Sequence, residues 1–86
     1  MPTLSFFHGI AIQMYWDDHP LPHFHARYAE YRATYFIEGL TKRDGHFPPA
    51  QEKLVLQWAR LHQDELREDW QLCRTENQPF KITPLP

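Results

Sequence analysis

The decamer His19–Tyr28 carries three histidines, two prolines and an arginine, a density of reactive groups found nowhere else in the chain. His19, His23 and His25 have the spacing H-x3-H-x-H. Three imidazoles with an open fourth position form the ligand set of a catalytic zinc site. Asp17 or Asp18 could add an oxygen ligand or orient a ring from behind. One reading of the stretch is therefore a divalent transition metal such as zinc, held by His19, His23 and His25. No HExxH or CxxC motif accompanies it. The same histidines could instead cap strand ends, pack against aromatic rings or bond neighbouring carboxylates. A second reading takes His19, His23, His25 and Arg27, supported by Asp18 and Arg32, as a ligand surface for an anion or nucleic acid, with Phe36 available for stacking. A third makes His23 or His25 a general base, with Arg27 stabilising phosphate charge, as in a nuclease.

The elements that would position these groups follow from their neighbours. Pro20 and Pro22 fix φ and lack amide protons, so residues 18–22 read as a stiff connection. After Pro22, polar and apolar residues alternate, which is strand periodicity. Phe24, Ala26 and Tyr28 then share one face, and His23, His25 and Arg27 the other. Ala29-Glu30 separates this run from a second one, Tyr31 to Ile37. A two-residue turn there sets Tyr28 against Tyr31, Ala26 against Ala33 and Phe24 against Tyr35. It also sets His25 against Thr34 and Arg27 against Arg32. Like charges directly across a strand pair are unfavourable, so Arg27 and Arg32 call for a carboxylate, water or an anionic partner.

The rest of the chain supplies a core for this hairpin. Ile10 to Trp16 alternates as a strand, Leu4–Phe7 offers an edge, and Gly9 marks a turn or bulge. Three to four strands then make a small antiparallel meander. Residues 38–47 contain two glycines and four charged residues and read as an exposed loop. Pro48-Pro49 opens a helix. Leu54, Val55, Trp58, Leu61, His62, Leu66, Trp70 and Cys73 form its apolar stripe. One rod over 49–74 is long for so small a domain, which favours a break near His62-Gln63 with Asp64 as the new N-cap. Trp58, Trp70 and Cys73 read as core residues, and His62 as a satisfied histidine or helix cap. Residues 80–82 read as a last short strand or extended segment. The sheet's inner face and the helical stripe bury one another, so the fold class is α+β, with the meander packed on one long or two shorter C-terminal helices.

Composition limits the function. Eighty-six residues make one domain, 1–86, and 15 % aromatic content suits a small core of large side chains. A single cysteine excludes an internal disulfide and points to a reducing cytoplasm. The first residues lack a signal peptide's basic and apolar regions, and no apolar run reaches membrane-spanning length. A net charge of −2 weighs against bulk electrostatic binding of nucleic acid, and six histidines bring its sign change near pH 6.

The chain resembles a family of small bacterial proteins, domain of unknown function 4160. Its members begin Met-Pro-Thr, continue with a Gly-Ile strand, and carry a DHxPPHFHA motif followed by YGEY and a Trp-rich helical half. The corresponding residues here are Met1-Pro2-Thr3, Gly9-Ile10, Asp18-His19, Pro22-His23-Phe24-His25-Ala26, Tyr28, Glu30-Tyr31, Trp58-Ala59 and Trp70. Leu21 replaces a usual proline. Ala29 replaces a usual turn glycine, at a cost of about 1 kcal/mol if its backbone is left-handed. The family's genes often neighbour those of another uncharacterised family, number 2442. That arrangement resembles a two-gene toxin–antitoxin or regulator pair and implies a small protein partner encoded nearby.

Together these features describe a bacterial cytoplasmic interaction or regulatory protein with a His/Arg-rich ligand surface. Its partner would be that small protein or a second copy of the chain. The alternatives are a histidine-ligated hydrolase or nuclease and an anion- or nucleic-acid-binding module. No carboxylate pair, serine triad or phosphate loop defines a mechanism, so the reading leans away from an enzyme.

Overall fold

The computed structural model describes residues 2–16 and 20–86. Among them are five strands and two helices: β1 (Thr3–Phe7), β2 (Ile10–Gln13), β3 (His23–Tyr28), β4 (Tyr31–Phe36), β5 (Lys42–His46), α1 (Pro49–Leu61) and α2 (Gln63–Arg74). The strands form one antiparallel sheet in the order β1-β2-β3-β4-β5. The fold is α+β, and the sheet has five strands where the sequence suggests three to four.

The extra strand is β5, inside the segment read as an exposed loop. Its sequence, Lys-Arg-Asp-Gly-His, lacks the apolar alternation that identifies a strand. Main-chain pairing holds it, with Thr34 opposite Asp44 and Ala33 opposite Gly45. Gly45 sits at φ +93°, and a Cβ there would overlap the Arg32 carbonyl. Only glycine allows this close approach. A charged, kinked edge strand also discourages further strand pairing. β2 is shorter than the expected 10–16. Beyond Gln13 the Met14 amide leaves the ladder to donate to the Pro2 carbonyl at 3.2 Å.

The hairpins follow their turn residues. His8 and Gly9 both have positive φ, 50° and 79°, as a two-residue primed turn requires. At the β3–β4 turn Ala29 takes φ 52°, the left-handed conformation usual for glycine. The register is the expected one throughout: Phe24–Tyr35, His25–Thr34, Ala26–Ala33, Arg27–Arg32 and Tyr28–Tyr31.

The inner face of the sheet buries Ile10, Ile12, Met14, Phe24, Ala26, Ala33 and Tyr35 against Val55, Trp58 and Ala59 of α1. Trp58 is central: its ring lies 5.6 Å from Phe7 and 6.2 Å from Phe24, and its indole N–H donates to the Thr83 carbonyl at 2.9 Å. The Tyr35 hydroxyl leaves the core to donate to Glu52 at 2.7 Å.

The helical half breaks at His62, as the length argument favours, with no proline or glycine at the break. His62, not Asp64, is the N-cap of α2 and also closes α1, at φ −120° and ψ 25°. Asp64 lies in the first turn of α2 and pairs with Arg67. Contacts at the end of the sheet fix the new direction. Gln63 donates to the Ile37 carbonyl at 2.8 Å, and Arg67 forks onto Glu38 at 2.6 and 2.9 Å. Leu61 shares the spacing of the apolar stripe yet is 68 % exposed. The buried line runs through Val55, Trp58, Leu66, Trp70 and Cys73, and Leu61 lies off it. Residues 77–86 have no regular secondary structure. The Ile82 amide donates to the Leu4 carbonyl, so this segment lies along the outer edge of β1.

Candidate anion-binding cleft

The outer face of the sheet is built from rows of side chains opposite one another. One row is Phe6, Ala11, Arg27, Arg32 and His46, one residue from each strand. The next is Gln13, His25, Thr34 and Asp44. These rows and Tyr15 enclose an open cleft of about 350 Å³, lined by Arg27, Arg32, Arg43, His25 and Asp44 among others. Its volume falls in the roughly 300–1,000 Å³ range of small-ligand sites.

Among the described residues, three arginines face one carboxylate there. Asp44 is already engaged: its carboxyl is held below the usual range first by the Arg43 guanidinium, 2.9 Å away, and then by the Thr34 hydroxyl and the His25 ring. Arg27 and Arg32 are exposed, directly opposite, and without an ion-pair partner among the described residues. Two like charges in this register destabilise the hairpin until an anion lies between them.

The histidines of the motif do different work. His23 is fully buried, with its ring 4.7 Å from Trp70. Its Nδ1–H donates to the Leu21 carbonyl at 2.8 Å, which fixes the tautomer because a carbonyl only accepts. His23 thus ties the proline connection to α2 and does not line the cleft. His25 does line it, stacked 4.2 Å from Tyr15 with the rings 4° from parallel. His25 Nδ1 lies 3.1 Å from the Thr34 hydroxyl. That hydroxyl donates to Asp44, so it accepts from His25, and the chain His25–Thr34–Asp44–Arg43 holds the ring upright. The Nε2 atoms of both rings are buried.

His19 and Asp18, expected at the same surface, lie outside the described residues. Of the expected zinc ligands, His23 and His25 are adjacent, their ring centroids 5.2 Å apart. Among the described residues no three histidine, cysteine or acidic side chains converge on one point as metal ligands would. Phe36 is half-buried and does not line the cleft. Tyr15, Arg43 and Asp44 are the members that sequence reasoning missed. Arg43 and Asp44 lay in the segment read as a loop. The outward alternation of Tyr15 in the Ile10–Trp16 run is the one available signal. His62 and Cys73 are structural: His62 Nδ1 pairs with Glu65 at 2.5 Å, and burial raises the Cys73 thiol, with the Asp69 charge adding to it.

The family model described as Domain of unknown function (DUF4160) matches residues 9–71. This chain belongs to the DUF4160 family. The match runs from the first hairpin turn to near the end of α2, so it includes every cleft residue named above. No curated protein and no solved structure matches the chain. The DUF4160 motif residues divide between the two roles just described. Phe24 and Ala26 build the core, His23 joins sheet to helix, and His25 faces the cleft beside Arg27, which lies outside the motif.

Proposed function

We propose that the protein is a small bacterial cytoplasmic interaction and regulatory module whose outer cleft holds an anionic group. The observation that carries this reading is the Arg27–Arg32 pair, cross-strand, exposed and without a carboxylate partner among the described residues. A fold that keeps two cations face to face gives up stability unless an anion occupies the site. The gene neighbourhood implied by the family resemblance supports a protein partner within a two-gene module, and a single buried cysteine suits a reducing compartment.

The hydrolase and nuclease readings have less support. A general base needs a nitrogen facing the substrate, whereas the His25 Nδ1 is engaged by Thr34 and its Nε2 is buried. Calorimetric titration with tripolyphosphate, wild type beside Arg27→Gln/Arg32→Gln, tests the proposal. Saturable binding is expected in the wild type, weakening as salt rises and lost in the double variant. Absence of binding, or binding indifferent to both arginines, refutes it.

A further inference from the structure

The outer face presents aromatic surface in register with its cations. Phe6 is 64 % exposed and lies in the same cross-strand row as Arg27 and Arg32. In this row only Ala11, with its small side chain, stands between Phe6 and Arg27. Two strand spacings, about 10 Å, separate the two positions, comparable to the reach from a nucleotide's base to its phosphate. In the adjoining row Tyr15 lies flat against His25 at the cleft wall. A carboxylate-bearing protein surface would use the arginines but has no need of exposed rings beside them. Single-stranded nucleic acid uses both, because phosphates pair with cations while unpaired bases stack on aromatic faces.

We infer that the ligand of this face is a single-stranded nucleic-acid segment, its phosphates on Arg27 and Arg32 and an unpaired base on Phe6. This rests on the anion-binding reading and goes beyond it by naming the ligand class. The net charge of −2 does not oppose it, because recognition depends on the local field of the cleft, where among the described residues three arginines and one carboxylate line the walls.

Fluorescence anisotropy with a labelled oligouridylate of roughly eight nucleotides, a length within single-domain site sizes, tests the inference on the full chain. The logarithm of the association constant should fall with the logarithm of salt at a slope of roughly −1.4, about −0.7 for each of two neutralised phosphates. Phe6→Ala, at an exposed position, should leave folding intact and weaken oligonucleotide binding roughly tenfold. The same substitution should leave tripolyphosphate binding unchanged. Arg27→Gln/Arg32→Gln should weaken both. An abasic oligomer or a glutamate-rich peptide that binds as tightly as oligouridylate, or oligouridylate binding untouched by Phe6→Ala, overturns the nucleic-acid inference and leaves the anion site standing. Loss of arginine-dependent binding to every probe, tripolyphosphate included, overturns both.

Discussion

His23 and His25 stand two residues apart in one motif and have opposite fates, which side-chain chemistry alone does not announce. Both point away from the Phe24 face. His23, however, comes under Trp70 of α2, while His25 remains at the cleft wall. Removing the His23 ring leaves the Leu21 carbonyl without its donor and opens space beside Trp70. His23→Ala should therefore lower unfolding free energy by about 2–4 kcal/mol, and His25→Ala by much less; paired urea titrations would show it, and equal losses would contradict the assignment. Asp69 makes a second residue-scale case. It is 2 % exposed, and one carboxylate oxygen accepts from the Phe80 amide at 2.8 Å while the other has no hydrogen-bond partner among the described residues. Burial raises its carboxyl, the Phe80 amide opposes this, and Glu68 and Glu65 add to the rise. The folded state thus holds the Asp69 proton more tightly than the unfolded chain does. Ionising Asp69 therefore lowers stability as pH climbs from the ordinary carboxyl value through the folded one. Asp69→Asn keeps an acceptor for Phe80 and removes the charge. It should match or exceed wild-type stability at pH 7, an advantage that vanishes below the ordinary carboxyl value of 3.8. Thermal melts across that range decide it, and a variant clearly less stable at pH 7 would show that the charge is needed.

Elements were legible in the sequence where side chains specify them and illegible where the main chain does. The β3–β4 hairpin was readable to the residue because Phe24, Ala26 and Tyr28 alternate with His23, His25 and Arg27, and a register slip would turn the whole apolar set to solvent. The helix break was readable from length, but its cap was not. Asp64 has the right chemistry for an N-cap, yet Gln63 and Arg67 dock on the end of β4, and that tertiary constraint moves the break to His62. β5 carries no apolar pattern, since it is held by pairing with β4 and by the glycine at 45. The cleft was half visible for the same reason: β3 and β4 supply its readable wall and β5 the hidden one. The hairpin turn yields a direct test. Ala29 holds φ 52°, so Ala29→Gly relieves a left-handed alanine while giving the unfolded chain more freedom. A net gain of about 0.5–1 kcal/mol is expected in chemical denaturation. The reverse logic applies to Gly45→Ala, which should cost more than about 1 kcal/mol, since φ is positive there and the Cβ has no room against Arg32.

At the scale of the molecule, the net charge of −2 conceals a segregation that the fold creates. α2 carries Asp64, Glu65, Glu68 and Asp69 within seven residues of its start, while Arg27, Arg32 and Arg43 meet on the far strands of the sheet. A whole-chain average therefore argues against anion binding just where the local arrangement argues for it. Segregation of this kind has a thermodynamic consequence that can be measured without knowing the partner. If Arg27 and Arg32 face each other for binding, the free protein bears their repulsion, and neutralising either one should stabilise it. Arg27→Gln or Arg32→Gln is expected to raise unfolding free energy by about 0.2–1 kcal/mol at low salt. The gain should shrink as ionic strength screens the pair. Saturating tripolyphosphate should stabilise the wild type and leave the variants unmoved, because a ligand that binds only the folded state adds stability that grows with the logarithm of its concentration over Kd. Thermal melts of wild type and both variants, at low and high salt and with and without tripolyphosphate, complete the comparison. Variants less stable than wild type at low salt would mean that the pair serves the fold and not a ligand.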